Sequence, residues 1–350
     1  MEKYRVGIVG ATGMVGQRFI SLLKDHPWFE VNCVAASARS AGKTYREAVG
    51  ERWAFAWEIP EKVAGMTVVD AADIDEVSKH VDFVFCAVDM KKDEIRALEE
   101  AYAKHEIPVV SNNSACRGIE DVPMVVPEIN ADHLAVIEAQ KKRLGTKNGF
   151  IAVKPNCSIQ SYVPALTPLL DFEPEKVSVC TYQAISGAGK TFKTWPEMVD
   201  NVIPYIGGED EKSENEPLKL WGHVEDGKIV NATLPVISAQ CLRVACSDGH
   251  MAAVSVSFKK KPTIEQIKER WANYETEAQR LELPSAPKPF LQYFEDPSRP
   301  QTRLDRDFQN GFGVSIGRLR EDKLFDYRFV CLSHNTVRGA AGGGTLAAGP

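Results

Sequence analysis

The sequence predicts an α/β protein: a Rossmann-type doubly wound parallel sheet, followed by an α+β domain with a mixed or antiparallel sheet. Three observations carry this. A glycine-rich turn joins an apolar run to a helical pattern at the N-terminus. Short apolar runs then alternate with helical patterns as far as residue 153, and beyond it the apolar runs lengthen and take a period near two.

Residues 4–16, YRVGIVGATGMVG, read as a buried strand, a glycine turn and the start of a helix. Glycines at 7, 10, 13 and 16 give G-x-x-G-x-x-G in place of the G-x-G-x-x-G of dinucleotide-binding turns. The physical need is the same, because residues without a Cβ let the backbone approach a pyrophosphate, whose charge meets free amides at a helix N-terminus. A glycine-rich strand end is by itself equally a structural turn. The context favours the cofactor reading: VNCVAA (31–36), VDFVFCAV (81–88) and IPVVSNN (107–113) alternate with helical stretches such as KKDEIRALEEAYAKH. At the end of the second strand NAD binders place an acidic residue for the ribose hydroxyl, whereas this chain reads AASARSAG. Ser37, Arg39 and Ser40 suit a 2′-phosphate, so NADP is expected over NAD; the alternative is that Arg39 is a solvated loop charge.

The longer runs are KVSVCTYQAI (176–185), HMAAVSVSF (250–258) and FDYRFVCL (325–332), each suited to a sheet with one buried face. The final SHNTVRGAAGGG has small residues able to pack closely and is expected to form a helix returning to the first domain. The expected division is therefore 1–153, completed by 333–350, and 154–332.

Composition limits the function. A chain of 350 residues fits two domains, and 44% apolar with 26% charged residues is the balance of a soluble globular protein. A net charge of −6 disfavours non-specific binding to nucleic acid or anionic lipid, so neither is expected as a partner. No basic segment with an apolar signal core precedes the first strand, and the longest charge-free run, 155–170, contains three prolines. A cytoplasmic protein without membrane spans is expected. The eight cysteines are scattered, mostly inside apolar runs such as FVFCAV, where cysteine behaves as a small buried hydrophobe.

Cys157, in VKPNCSIQ, is the cysteine with a different setting, since it could sit in the first turn of a helix whose amides and macrodipole favour a thiolate. Pro164 and Pro168 would shorten or kink that helix, and spacing alone favours a packing thiol. A nucleophile needs a base, and of the seven histidines His250 stands apart, after CLRVACSDG at the head of a strand. Cys241, Cys246 and His250 have the spacing C-x4-C-x3-H, without a tight pair or a fourth ligand, so no metal is expected. SGAGK (186–190) does not satisfy the phosphate-loop pattern of ATP sites.

Taken in order, GATGMVGQ, ASARSAGK, SNNSACR, KPNCSIQ, TYQAISGAG, RVACSDGH and SHNTVRGAAGG resemble the aspartate-semialdehyde dehydrogenase family across almost the whole chain, closest to its archaeal and fungal branch. The resemblance implies an enzyme in which NADPH reduces L-aspartyl 4-phosphate to L-aspartate 4-semialdehyde with release of phosphate. This step belongs to the biosynthesis of lysine (through diaminopimelate), threonine, methionine and isoleucine. It implies Cys157 as the nucleophile that forms a thioacyl intermediate, and His250 as acceptor of the thiol proton and manager of the thiohemiacetal proton. Gln183 would orient the thioacyl group. For the substrate it implies Arg243 on the carboxylate, Glu216 and Lys219 as an E-x-x-K pair on the ammonium and the phosphate side, and Arg117 and Asn156 on the phosphate. Glu209, Glu211 and Glu214 lie close enough to leave the acidic residue open. For the cofactor it implies Thr12, Gly13, Met14, Val15, Ser37, Arg39, Ser40, Ser186, Gly187 and Asn335. Residues 154–332 would form the catalytic and dimerisation domain of a homodimer or homotetramer. Two other readings stay open: reduction of an acyl-CoA such as malonyl-CoA on the same scaffold, and a non-catalytic NADPH-binding sensor.

Overall fold

The computed structural model describes residues 2–349, so the expected domain limits at 1 and 350 fall outside the described residues. Six strands form the first sheet: β1 (Tyr4–Val9), β2 (Phe29–Ala36), β3 (Val69–Asp70), β4 (Phe83–Cys86), β5 (Val109–Ser111) and β6 (Ile151–Val153). They lie in the order β3-β2-β1-β4-β5-β6, and every pairing is parallel. The strand order reverses beside β1, which opens a crevice at its C-terminal end. Gly10, the first residue past β1, has φ +89°, and a Cβ there would lie 2.1 Å from the Ala87 carbonyl oxygen. Only glycine fits that turn. The helix Met14–Leu23 follows, and Gly16 lets it approach until a Cβ would stand 2.3 Å from the Gly10 carbonyl. Its buried Phe19, Ile20 and Leu23 pack with Val6, Ile8 and Val34 of β1 and β2.

The later strands are β7 (Pro174–Gln183), β8 (Val202–Ile203), the hairpin β9 (His223–Glu225) and β10 (Lys228–Val230), β11 (Val236–Val244), β12 (His250–Phe258), β13 (Leu291–Phe294), β14 (Val314–Glu321) and β15 (Tyr327–Ser333). Seven of them make a second sheet in the order β13-β14-β15-β12-β7-β11-β8. It is mixed: β11 runs parallel to β7 and β13 to β14, and the other neighbours are antiparallel. Strand β12 is buried at every second residue, as its period of two requires. One contiguous apolar cluster runs from Val9, Val84 and Tyr102 at the first sheet to Val177, Val254 and Phe329 at the second. The sheets therefore share a core, and the site lies along their seam.

After β15 the chain returns to the first sheet and packs on the Met14–Leu23 helix and β5. The expected single helix is two pieces, a π-helical turn Val337–Ala341 and an α-helix Gly342–Ala347, broken where Ala340 takes φ −139° and ψ −109°. Buried Arg338 anchors this segment by a bidentate pair to Glu128, both contacts at 2.6 Å. No helix among the described residues is long and apolar enough to cross a membrane.

Candidate active site

Three strand ends of the second sheet converge. Gln183 ends β7, Arg243 pairs with it near the end of parallel β11, and His250 begins antiparallel β12, one step beyond the Met251–Tyr182 pair. All three are buried. Across the seam the turn after β6 brings Cys157 in, and its Sγ lies 3.4 Å from His250 Nε2. Gly187 passes over this pair so closely that a Cβ would lie 2.9 Å from Arg243 Nη1 and 3.0 Å from His250 Nε2. Gly339 approaches from the other side, where a Cβ would meet Cys157 Cβ at 2.9 Å. Asn335 ties the seam together: its Oδ1 accepts the Gly249 N–H and its Nδ2 donates to Ser186 Oγ, both at 2.8 Å.

The expected helix dipole behind Cys157 is absent. The chain after it breaks into the 3-10 turn Ile159–Ser161, the four-residue helix Val163–Leu166 and the 3-10 stretch Thr167–Phe172, with prolines at 164 and 168. The Ser158 N–H is also taken, donating to Asn156 Oδ1 at 2.8 Å. Asn156 donates both from Nδ2 to Glu209, at 2.9 and 3.0 Å, and from its backbone N–H to Glu216 at 2.6 Å. Its polar groups build the turn rather than face a phosphate.

The acidic helix Glu209–Leu220 sorts its carboxylates by the spacing of one turn. Asp210 and Glu214 accept the β11 amides of Cys241 and Ala239, at 2.8 and 3.0 Å. Glu209 and Glu216 face the cysteine turn. Glu216 is fully engaged, with Oε1 on Arg117 Nη1 at 2.9 Å and Oε2 on the Asn156 amide. Lys219 spends three donors on the carbonyls of Arg117, Ile119 and Val122, at 2.7, 2.7 and 2.9 Å. The expected Glu216–Lys219 pair is thus a support for the Arg117 loop. Seven residues earlier, two helical turns along the same face, the same E-x-x-K spacing recurs as Glu209 and Lys212, which pair at 2.8 Å. Glu209 also accepts from Gln183 at 3.1 Å. Lys212 lines a cleft of about 490 Å³ together with Arg117 and Lys92. Arg117 has a buried Nε with no protein partner, so an oxyanion there would complete it.

A second cleft of about 550 Å³ opens at the end of β1, lined by Gly10, Thr12, Gly13, Ser37, Arg39 and Ser40. Met14 and Val15 start the helix and do not line the cleft with side chains; their amides belong to the first turn, which has no earlier helical carbonyls to bond. Gly187 lies over Arg243 and His250 instead, and Ser186 bonds Asn335, which accepts from Gly249 next to His250. Lys43 and Arg52 also line this cleft, although the sequence reading passed over them. Lys43 follows Arg39 by four residues in ASARSAGK, and its charge is the signal that places it there. The glycine turn, the helix start and the clustered cations fit a dinucleotide carrying an extra phosphate.

Burial dominates the electrostatics. It pushes the Cys157 thiol up, helped by Glu209, while Lys154, Arg117 and Arg243 oppose it. It pushes His250 down to about 3, with Arg243 adding repulsion. His250 Nδ1 accepts the Ala184 N–H at 3.0 Å, so by this network the neutral ring carries its proton on Nε2. Burial would raise Glu209, but Lys212 with the hydrogen bonds from Gln183 and Asn156 holds it below the usual carboxylate range. Cys241 faces Ser213 at 3.4 Å and Cys246 faces Thr302 at 3.9 Å, so these thiols and His250 point to different partners.

A family model for the semialdehyde dehydrogenase NAD-binding domain matches residues 5–137, and one for the semialdehyde dehydrogenase dimerisation domain matches 166–338. Aspartate-semialdehyde dehydrogenase of Schizosaccharomyces pombe is 45% identical over 348 residues, covering 98% of this chain and 96% of that one. The enzyme of the same name from Archaeoglobus fulgidus is 43% identical, with the same coverages. The solved Candida albicans aspartate semialdehyde dehydrogenase with NADP superposes with a TM-score of 0.88 at 38% identity, covering 99% of this chain and 98% of that one.

Proposed function

The chain belongs to the aspartate-semialdehyde dehydrogenase family, and from that premise we propose how its residues perform the NADPH-dependent reductive dephosphorylation of L-aspartyl 4-phosphate to L-aspartate 4-semialdehyde. The reaction serves amino-acid biosynthesis, and neither the acyl-CoA nor the sensor alternative gains support from these relatives. The observation that carries the site assignment is Cys157 Sγ at 3.4 Å from His250 Nε2, flanked by Arg243 and by the cleft that holds Arg117 and Lys212.

Cys157 attacks the acyl carbon as a thiolate and expels phosphate, leaving a thioacyl group on Sγ. Arg117 and Lys212 hold the phosphate. Arg243 donates once, to the Ala184 carbonyl at 2.8 Å, and the rest of its fork clamps the α-carboxylate. Glu209 takes the α-ammonium, with Gln183 and Asn156 fixing the carboxylate in place. NADPH, when bound in the β1 cleft with its 2′-phosphate beside Arg39, Ser37 and Ser40, supplies the hydride. His250 aims Nε2–H at the oxygen of the thioacyl group, where a fixed donor stabilises charge as it develops. The oxyanion then collapses and expels the Cys157 thiolate with the aldehyde.

The division into a cofactor-binding unit, 1–153 closed by 333–350, and a catalytic and dimerisation unit, 154–332, is part of the same proposal. So is a homodimer through the open face of the second sheet, where Ser178, Tyr182, Ser238 and Val236 point outward and Val236 is 63% exposed. The deciding experiment is phosphate-dependent oxidation of aspartate semialdehyde with NADP, followed as NADPH formation. Turnover that is lost in Cys157→Ser is expected; no turnover there, but reduction of malonyl-CoA, would overturn the substrate.

A further inference from the structure

Glu99 lies in the middle of the helix Lys92–Lys104 and is fully buried, yet the mechanism above does not use it. Its neighbour Glu100 takes Arg96, Lys104 and Arg143, whereas no cation stands within ion-pair distance of Glu99 among the described residues. One oxygen, Oε1, accepts from Ser111 Oγ and, at 2.9 Å, from Asn113 Nδ2; the other, Oε2, is buried without a partner. A half-satisfied buried carboxyl lowers stability, so its place in the fold calls for a reason. We propose that Glu99 is a positioning residue for phosphate: it fixes the loop that carries Arg117 and so sets where the guanidinium meets the oxyanion.

The contacts run without a gap from Glu99 to that guanidinium. Ser111 is the last residue of β5, and its Oγ, while donating to Glu99, accepts the N–H of Asn113 at 3.0 Å. The Asn113 side chain returns to the same Glu99 oxygen. Residues 111 and 113 are thus clamped to one carboxyl, and Asn112 between them donates its N–H to the Cys86 carbonyl at 2.8 Å. The clamp fixes the direction of the Asn112 carbonyl, which accepts from Arg117 Nη2 at 3.1 Å. Glu216 takes Nη1 at 2.9 Å, so the guanidinium is gripped at both ends while Nε stays buried and unpartnered. A planar fork held at two points has little freedom to turn, and a shift of the Asn112 carbonyl is passed on to Nε.

The same helix frames the phosphate cleft from its other end. Lys92, its first residue, lines the cleft of about 490 Å³ together with Arg117 and with Ser114, the residue after the clamped Asn113. Glu99 thus ties the loop cation and the helix cation that line the cleft to one rigid element. It touches neither of the other two sites. The cofactor cleft is lined by residues 87–90 of the turn before this helix, and Cys157 is set by the turn after β6 and by Gly339. Loss of the Glu99 contacts should therefore be felt by phosphate and not by the cofactor.

The inference rests on Arg117 as the phosphate ligand, and its test separates the two ideas. The KM for phosphate is measured with the whole chain in the oxidation of aspartate semialdehyde, with NADPH affinity followed alongside by fluorescence titration. Ser111→Ala and Glu99→Leu should each raise that KM roughly tenfold, a small displacement of the ligating group being enough, and leave NADPH affinity unchanged. Glu99→Gln keeps an acceptor for Ser111 and Asn113 and should stay near the wild-type KM. In an Arg117→Ala background Ser111→Ala should add almost nothing, because the group it positions is gone, whereas general loosening of the fold would add its full effect there. Full additivity, a KM unmoved by Ser111→Ala, or a Gln variant as impaired as Leu would overturn the proposal. If Glu99→Leu does not fold, Ser111→Ala and its pairing with Arg117→Ala decide. An Arg117→Ala enzyme with the wild-type KM would instead overturn Arg117 as the phosphate ligand.

Discussion

The Glu216 carboxylate accepts the backbone N–H of Asn156 at 2.6 Å while its other oxygen accepts from Arg117 at 2.9 Å. One side chain thus sets both the turn that carries Cys157, the proposed nucleophile, and Arg117, proposed to hold the phosphate. Glu216→Gln keeps one acceptor but turns an NH2 toward a donor, so one of the two contacts is lost at about 1.5–3 kcal/mol, the value of a charged hydrogen bond. The KM for phosphate should rise roughly tenfold or more. Glu216→Ala leaves Arg117, whose side chain is 10% exposed, without a counter-charge and should cost about 3–5 kcal/mol in urea unfolding. A stable variant impaired solely in binding the amino group would put Glu216 back on the substrate.

At the other cleft, Arg39 and Lys43 lie four residues apart on the turn after β2. Removing Arg39 as Arg39→Ala should weaken NADPH by about 1.5–3 kcal/mol and NADH far less. Lys43→Ala should act in the same direction, more weakly because a lysine offers a point charge where arginine offers a fork. Fluorescence titration of both nucleotides reads the difference directly. Equal losses for NADPH and NADH would show that neither cation reads the 2′-phosphate.

Much of this was legible in the sequence because the signals were local. The G-x-x-G-x-x-G turn and β12, with its strict alternation, occur where they were read. Strand β11 was missed because its apolar residues are interrupted by Ser238, Gln240 and Arg243; its edge amides are satisfied by Asp210 and Glu214, which spacing along the strand could not reveal. The E-x-x-K pair was ambiguous for a related reason. Two copies seven residues apart lie on one helical face, and tertiary contacts alone separate Glu209, beside Gln183, from Glu216, closed by Arg117. The helix behind Cys157 failed because Pro164 and Pro168 prevail over the helical pattern. The Ala184 amide on His250 is a backbone contact and leaves no residue-type signal at all.

Stability should depend on pH through histidines buried neutral. His26 accepts the Phe29 amide at 3.2 Å and is pushed down to about 4 by burial; His334, also buried, is pushed to about 4. Both ordinary values are 6.5, so between about 4 and 6.5 the unfolded chain binds more protons than the folded one. Stability is then fully present above that window and is lost as pH falls through it, by up to about 1.4 kcal/mol per pH unit for each ring. His26→Gln should flatten the slope of unfolding free energy against pH in this range. An unchanged slope would remove His26 from the linkage.

Gly339 gives the sharpest test of how tightly Cys157, the proposed nucleophile, is held. A methyl group there would sit 2.9 Å from Cys157 Cβ and 3.2 Å from its Cα, against backbone that cannot rotate away. The segment cannot retreat easily either, since Arg338 next to it is locked to Glu128. Gly339→Ala should therefore displace Cys157 rather than the C-terminal segment. A shift of about 1 Å at a reacting atom can cost on the order of a hundredfold in rate. NADPH affinity should be nearly unchanged, because the β1 cleft does not include this residue. By contrast Gly187→Ala meets the tips of Arg243 and His250, the two groups proposed to face the substrate, so it should raise the substrate KM as well as lower kcat. If Gly339→Ala kept full kcat, Cys157 would have to tolerate displacement, and the close fit around it would carry no catalytic meaning.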